Sequence, residues 1–219
     1  MHGKGFGNRN SKLGEGPKPR TKPLKRPRQA RAVFTVEAIY QAFVRILQRD
    51  GWDAVTTRSV AMESGFAVGT LYEYFPSKEA LLSGYVRHCI EQLLQLLDQQ
   101  VVAPELDWQQ RITRLLWLSC GPQESMYRLF TFEMARQEAQ VAEPKHHLRA
   151  YQELLAKWQE VFAACGDLPA PVSAATVEAL FLMVWGGRRY AALAQLDEPR
   201  LHAWLSETER LILHTLRRP

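Results

Sequence analysis

Residues Thr56 to Leu82, TTRSVAMESGFAVGTLYEYFPSKEALL, leave little freedom in how they fold. A hydroxyl at Thr56 or Thr57 can accept from an orphan amide and start a helix. Val60 and Ala61 give that helix a small inward face. Ser64-Gly65 ends it, because glycine enters the left-handed region without a Cβ penalty. A second short helix is expected from about Ala67 to Phe75. Leu71 and Phe75 stand i, i+4 and share one face, which leaves Val68, Thr70, Tyr72 and Tyr74 less tied to the interior. Pro76 stops this helix and Ser77 can cap the next. Two short helices around a glycine turn, with an outward surface of Thr, Tyr and small residues, are what a DNA-reading helix-turn-helix requires. The plainer alternative is three small helices that only pack on one another.

The flanking chain is helical in pattern. Val36, Ile39, Tyr40, Phe43, Ile46 and Leu47 recur at helical spacing, so a helix is expected over about 35–49, ended by Asp50-Gly51. Another runs from Lys78 to about Gln100, with Leu81, Leu82, Tyr85, Val86, Cys89, Leu93, Leu96 and Leu97 as its stripe. Further helices are expected at about 107–119, 123–140, 144–165, 173–195 and 199–216, separated by glycine and proline breaks. No segment sustains a two-residue alternation, so the predicted fold is all-α. The longest apolar run, Ala179 to Trp185, is too short to cross a bilayer, and the basic N-terminus leads into no apolar stretch. A cytoplasmic protein with no membrane partner is expected.

Charge is placed unevenly. Residues 1–31 hold ten basic residues against the single acid Glu15, so the rest carries about −4 under a total of +5. A basic tail on an acidic body points to a polyanion partner, most simply nucleic acid. The tail is rich in Gly, Pro, Lys and Arg and cannot offset its ordering entropy, so it is expected to be disordered alone. Arg26 and Arg28 sit in its proline-stiffened core, suited to an adjacent minor groove. A solubilising extension with no specific role remains the alternative.

The motif residues resemble the helix-turn-helix of TetR-family transcriptional regulators. The match rests on Thr57, Ala61, Gly65, then Gly69-Thr70-Leu71-Tyr72-x-Tyr74-Phe75 and Ser77-Lys78-Glu79-Ala80-Leu81-Leu82, and extends back through Thr35-Val36 to Asp50-Gly51-Trp52. It covers about a quarter of the chain. The resemblance implies a disordered basic arm (1–31), a three-helix DNA-binding domain (32–80) and a larger helical ligand-binding and dimerisation domain (81–219). It also implies a cytoplasmic bacterial protein, nucleoid-associated when bound to double-stranded DNA. Thr35, Thr57, Arg58, Ala67, Val68, Gly69, Thr70, Tyr72, Tyr74 and Lys78 become candidate DNA contacts, with Arg26 and Arg28 from the arm. Lys78 would clamp a phosphate, and Gly69 would let the backbone approach closely. Ala67-Val68 departs from the polar pair many family members carry there, which shifts the burden to apolar contact, DNA shape and Arg58. Residues 32–80 hold four cations, Arg45, Arg49, Arg58 and Lys78, against six acids.

The remaining expectations concern the body. The resemblance implies a ligand cavity among its middle helices. Trp108, Trp117, Phe130, Met134, Trp158, Phe181 and Trp185 are candidates to line it for an apolar or aromatic small-molecule effector, and ordinary core is the alternative for each. The last two helices resemble the family's dimer bundle, with Val177, Phe181, Val184, Tyr190, Leu201, Trp204, Leu205 and Ile212 as candidates for a homodimer interface. Gly186-Gly187 within a helix suggests either close approach of a partner helix or a kink. Cys89, Cys120 and Cys165 are an odd, widely spaced set in apolar patterns, expected to be buried free thiols, with a thiol sensor as the sharper alternative. No phosphate loop, dinucleotide glycine pattern, zinc spacing, paired carboxylates or nucleophile triad is present, so no enzyme, cofactor or metal is expected. The predicted function is a regulator, most often a repressor, that binds an inverted repeat as a dimer and is released by its effector. The alternative is a ligand-independent DNA-associated protein whose body docks another protein.

Overall fold

The computed structural model describes residues 20–25, 29–122 and 132–217, and among these every regular element is helical. Helix α1 spans Ala30–Asp50, α2 Thr57–Ser64, α3 Val68–Tyr74, α4 Lys78–Leu97 and α5 Trp108–Cys120. They are followed by α6 Phe132–Val141, α7 Pro144–Ala163, α8 Ala174–Leu193 and α9 Glu198–Leu216. The starts follow local chemistry. The side chains of Thr56, Ser77, Asp107, Ser173 and Asp197 each accept the backbone N–H three residues on. Proline opens the first turn of α7 and α9, where its missing donor does no harm.

Two boundaries differ from expectation. Helix α1 begins at Ala30 rather than Thr35, since Ala30-Arg31-Ala32 contains no breaker. Regular α4 geometry ends at Leu97 and continues as one π-helical turn, Asp98–Val102. Arg111 explains that turn. Its guanidinium is buried and donates to the carbonyls of Val101, Val102, Pro104 and Leu106, the last three at 3.0, 3.1 and 3.3 Å. The α4–α5 connection is therefore folded around a cation.

One apolar core runs from α1 to α9. Helix α4 joins its two parts. Leu81, Leu82 and Tyr85 are buried near its start and Cys89, Leu93 and Leu97 along the rest. Near the start, the Tyr40 ring lies 5.5 Å from Phe75 and 5.5 Å from Tyr85. Gly84 makes room for this junction: a Cβ there would stand 2.7 Å from the Tyr40 hydroxyl, 2.8 Å from Phe75 Cε1 and 3.0 Å from Pro23 Cγ.

Residues 20–25 are docked, contrary to the expectation of disorder. Leu24 N–H donates to the Tyr74 carbonyl at 2.8 Å, and the Ser77 hydroxyl donates to the Arg20 carbonyl at 2.7 Å. Both partners lie at the α3–α4 corner, whose carbonyl and hydroxyl give an extended segment something to bond. Arg26 and Arg28 lie outside the described residues.

Gly84→Ala is expected to destabilise the protein by about 1–3 kcal/mol, the usual range for overpacking. Urea unfolding of the variant beside the parent checks this; an unchanged midpoint would mean that the junction relaxes freely.

Candidate nucleic-acid interface

Helices α2 and α3 are locally over-determined. The Thr56 side chain accepts Ser59 N–H at 2.9 Å while Ser59 Oγ accepts Thr56 N–H at 2.9 Å, a reciprocal capping box with serine in the usual Glu place. Gly65 sits at φ +76, and Phe66 N–H returns to the Ala61 carbonyl at 3.1 Å, which closes α2. Leu71 and Phe75 are fully buried, fixing which side of α3 faces out.

That outward side carries Ala67, Gly69 and Tyr72, all exposed, with Thr70 half-buried. A methyl group on Gly69 would meet nothing within 4 Å, so no internal packing requires glycine there. The Thr57 hydroxyl donates to the Tyr72 hydroxyl at 3.0 Å, joining the start of α2 to the exposed face of α3. Val68 and Tyr74 are half-buried against the core, the Tyr74 ring 6.3 Å from that of Phe75.

Several expected contacts are placed otherwise. Thr35 is buried and its hydroxyl donates to the Arg31 carbonyl at 2.9 Å, so it is engaged within its own helix. Lys78 Nζ donates to the Trp52 carbonyl at 3.3 Å and lies 4.6 Å from the Trp52 ring centre, which ties α4 to the 3-10 turn Trp52–Ala54 instead of leaving a free clamp. Arg45 and Arg49 both reach Glu63, at 2.9 and 3.4 Å, pinning α1 to α2. Arg45, first among these, holds the Glu63 carboxyl below its usual range. Of the four cations in residues 32–80, Arg58 alone has no hydrogen-bond or ion-pair partner among the described residues, and it is exposed.

Residues 39–84, spanning this unit, match the family described as "Bacterial regulatory proteins, tetR family". Over this segment the chain is similar to the tetR family. It is 31% identical over 109 residues to the HTH-type transcriptional repressor KstR of Mycolicibacterium smegmatis, a match covering 47% of this chain and 53% of that protein. The chain thus spans about half the length of this curated relative. A TetR transcription regulator from Haloarcula marismortui superposes with a TM-score of 0.61 at 20% identity, over 81% of this chain and 96% of the other. A SmeT–triclosan complex does so with a TM-score of 0.54 at 14% identity, over 80% and 90%. At such identities these two structures establish the fold. TetR-family proteins are DNA-binding regulators and not enzymes.

In the body, the described residues expected to line a cavity mostly lie within the core. Trp108, Met134, Trp158 and Phe181 are buried, and Phe181 meets Trp158 at 5.6 Å and Trp185 at 5.9 Å between ring centres. Phe181 thus stands edge-on to Trp158 and tilted against Trp185. Trp117 is a strut: its indole N–H donates to Glu209 at 2.8 Å, linking α5 to α9. Phe130 lies outside the described residues. Open clefts occur elsewhere. One of about 460 Å³ is lined by Tyr40, Val44, Tyr85 and His88. Another of about 480 Å³ is lined by Phe162, Cys165, Leu168, Pro171, Val172 and Val177.

The expected dimer residues also need correction. Val177, Phe181, Val184, Leu201, Leu205 and Ile212 are interior, and Trp204 packs on Gly187, where a Cβ would fall 2.6 Å from Trp204 Cζ2. Tyr190 is 74% exposed. Helix α8 is apolar on more than one face, so periodicity could not choose which face turns inward. Its exposed apolar side is Leu182, Met183, Tyr190 and Leu193, joined by Leu211 of α9. No helix among the described residues is long and apolar enough to cross a membrane, and no group of metal-ligating side chains forms there.

All three cysteines are free and buried. Burial pushes the Cys89 and Cys120 thiols up to about 12 and Cys165 to about 11, from an ordinary 9.0, so none carries the thiolate a sensor needs. A thiol raised in the native state contributes stability that is present below 9.0 and is lost as pH rises from there towards its folded value. Alkylation at about pH 8 should therefore be slow in the native protein and rapid in denaturant, and the urea midpoint should fall above about pH 9. Fast labelling of a native thiol would restore the sensor reading.

Proposed function

We propose that the chain is a transcriptional repressor that binds double-stranded DNA as a homodimer through α2 and α3 and is released by a small apolar or aromatic effector. The carrying observation is the exposed face of α3, tied through Tyr72 to Thr57 at the start of α2, where the next residue, Arg58, is exposed and unengaged, on a helix pair whose orientation is fixed by the Thr56 box and Gly65. Residues 32–80 form the reading head, 81–219 the body, and 1–31 a basic arm adding salt-dependent affinity. In this reading Arg58 reaches a guanine edge or phosphate, while Ala67, Val68, Thr70 and Tyr72 meet thymine methyls and backbone.

Dimerisation is assigned to the α8 side bearing Leu182, Met183, Tyr190 and Leu193. Gly186 lies on the same side, exposed, with nothing within 4 Å of a built Cβ, so a partner helix could approach its backbone closely. A second copy would place two copies of α3 about 34–36 Å apart, or a further turn, and so read an inverted repeat.

Effector release is supported by three buried donors. Ser119 Oγ and the indole N–H groups of Trp158 and Trp185 have no hydrogen-bond partner among the described residues. Each unmet donor costs about 1–3 kcal/mol, which an acceptor on an aromatic ligand would offset. Ligand and DNA would then favour different conformers, coupled by about 1–3 kcal/mol. SmeT, in its complex with triclosan, is a structural neighbour that takes an aromatic ligand. The close aromatic packing favours the second reading, a body that docks protein and needs no effector. DNA release caused by a ligand that the body binds would decide against it.

Selection of random duplexes at near-physiological salt should recover an inverted repeat. Arg58→Ala should weaken that site by about 1–3 kcal/mol and relax one position in each half. Duplexes retained without a shared sequence would defeat the specific-repressor reading. Tyr190→Glu, placing a charge on the α8 face, should move the protein from dimer to monomer in sedimentation velocity. An unchanged dimer would put the interface elsewhere.

A further inference from the structure

Helix α3 carries a carboxylate on its outward side. Glu73 is exposed and lies i+3 from Thr70 and i+4 from Gly69, so it shares the face assigned above to DNA. α3 itself contains no cation. A bare carboxylate beside the phosphate backbone is a like-charge juxtaposition that opposes binding.

The segment Arg20–Lys25 answers this charge. Lys25 Nζ lies 3.2 Å from Glu73 Oε2. The ammonium is held there by the backbone that precedes it. Leu24 N–H bonds to the Tyr74 carbonyl, Arg20 C=O accepts from Ser77, and the Pro23 ring lies over Gly84. Four successive anchors along six residues make this a strap across the α3–α4 corner rather than the root of a loose tail. Further out, Lys145 first, and Lys22 with it, hold the Glu143 carboxyl in the α6–α7 turn below its usual range. The strap thus lies between the reading head and the body.

We propose that the Arg20–Lys25 strap is an integral part of the DNA-reading head, in which Lys25 neutralises Glu73 so that α3 can approach the phosphate backbone. This rests on the DNA-reading function proposed above. It differs from the action of a flexible polycation, in which Lys25 would meet a phosphate on its own account. In the docked strap its contribution depends on Glu73. In a free arm it does not.

The test is a double-mutant cycle on the full chain, with Lys25→Gln, Glu73→Gln and the pair, each titrated against the duplex recovered by selection. Both side chains are exposed, so neither change threatens folding. Lys25→Gln should weaken binding by about 2- to 5-fold, the equivalent of an exposed ion pair. In the Glu73→Gln background the same change should have close to no effect. Equal losses in both backgrounds would overturn the proposal and return Lys25 to a free arm. Hydrogen exchange tests the docking without DNA: the Leu24 amide should be protected, and exchange at the rate of an open chain would overturn the strap outright. A wild-type protein that selects no duplex would remove the DNA reading itself, an outcome separate from an additive cycle on a good operator.

Discussion

Helix α4 must be buried at both ends by different parts of the chain. Its first turns close the small domain over Phe75 and Tyr40, and its later turns form a wall of the body through Cys89, Leu93 and Leu97. Neither part could complete its core without it. Gly84 is where this demand is sharpest, because the Tyr40 hydroxyl, Phe75 and Pro23 all come within 3.0 Å of where a side chain would begin. A continuous core through one shared helix means that displacement of α4 is felt at once by both parts, since packed interiors move as units.

Much of this was legible in the chain itself. Punctuation located the helices, because Thr56, Gly65, Pro76 and Ser77 act through local hydrogen bonds and φ values that need no tertiary partner. The inward pair Leu71 and Phe75 followed from i, i+4 spacing. What escaped was long-range. Nothing local says that Arg111 folds back on the carbonyls ahead of it, or that Lys78 turns to Trp52. Thr35 has a polar side chain at a buried position, tolerated because its hydroxyl bonds one turn back. Helix α8 offered apolar residues all round, and only the packing of α7 and α9 decides that Phe181 goes in and Tyr190 stays out. The strap was unreadable for a different reason: composition argued for disorder, and its partners are single backbone groups at a corner that exists only after folding.

The electrostatics of the small domain likewise depend on contacts between helices. Arg45 and Arg49 hold α1 against α2 through Glu63, and Lys78 holds α4 against the turn after α1. Cations that a formal count offers to a polyanion are therefore structural. Surface pairs of this sort contribute little stability singly, but they fix orientation.

The buried Arg111 has a mechanical consequence. Its guanidinium gathers four carbonyls, of Val101, Val102, Pro104 and Leu106, so the turn after α4 comes free only when several bonds break together. The turn after α4 is thereby a firm anchorage, while the other end of the helix is held by Lys78 on the Trp52 carbonyl and by close packing around Gly84. A rod held more firmly at one end pivots about that end. Twenty residues of helix give an arm of about 30 Å, so a tilt of about 4° carries the Lys78 end through about 2 Å. Small rearrangements in the body would in this way arrive at α3 enlarged.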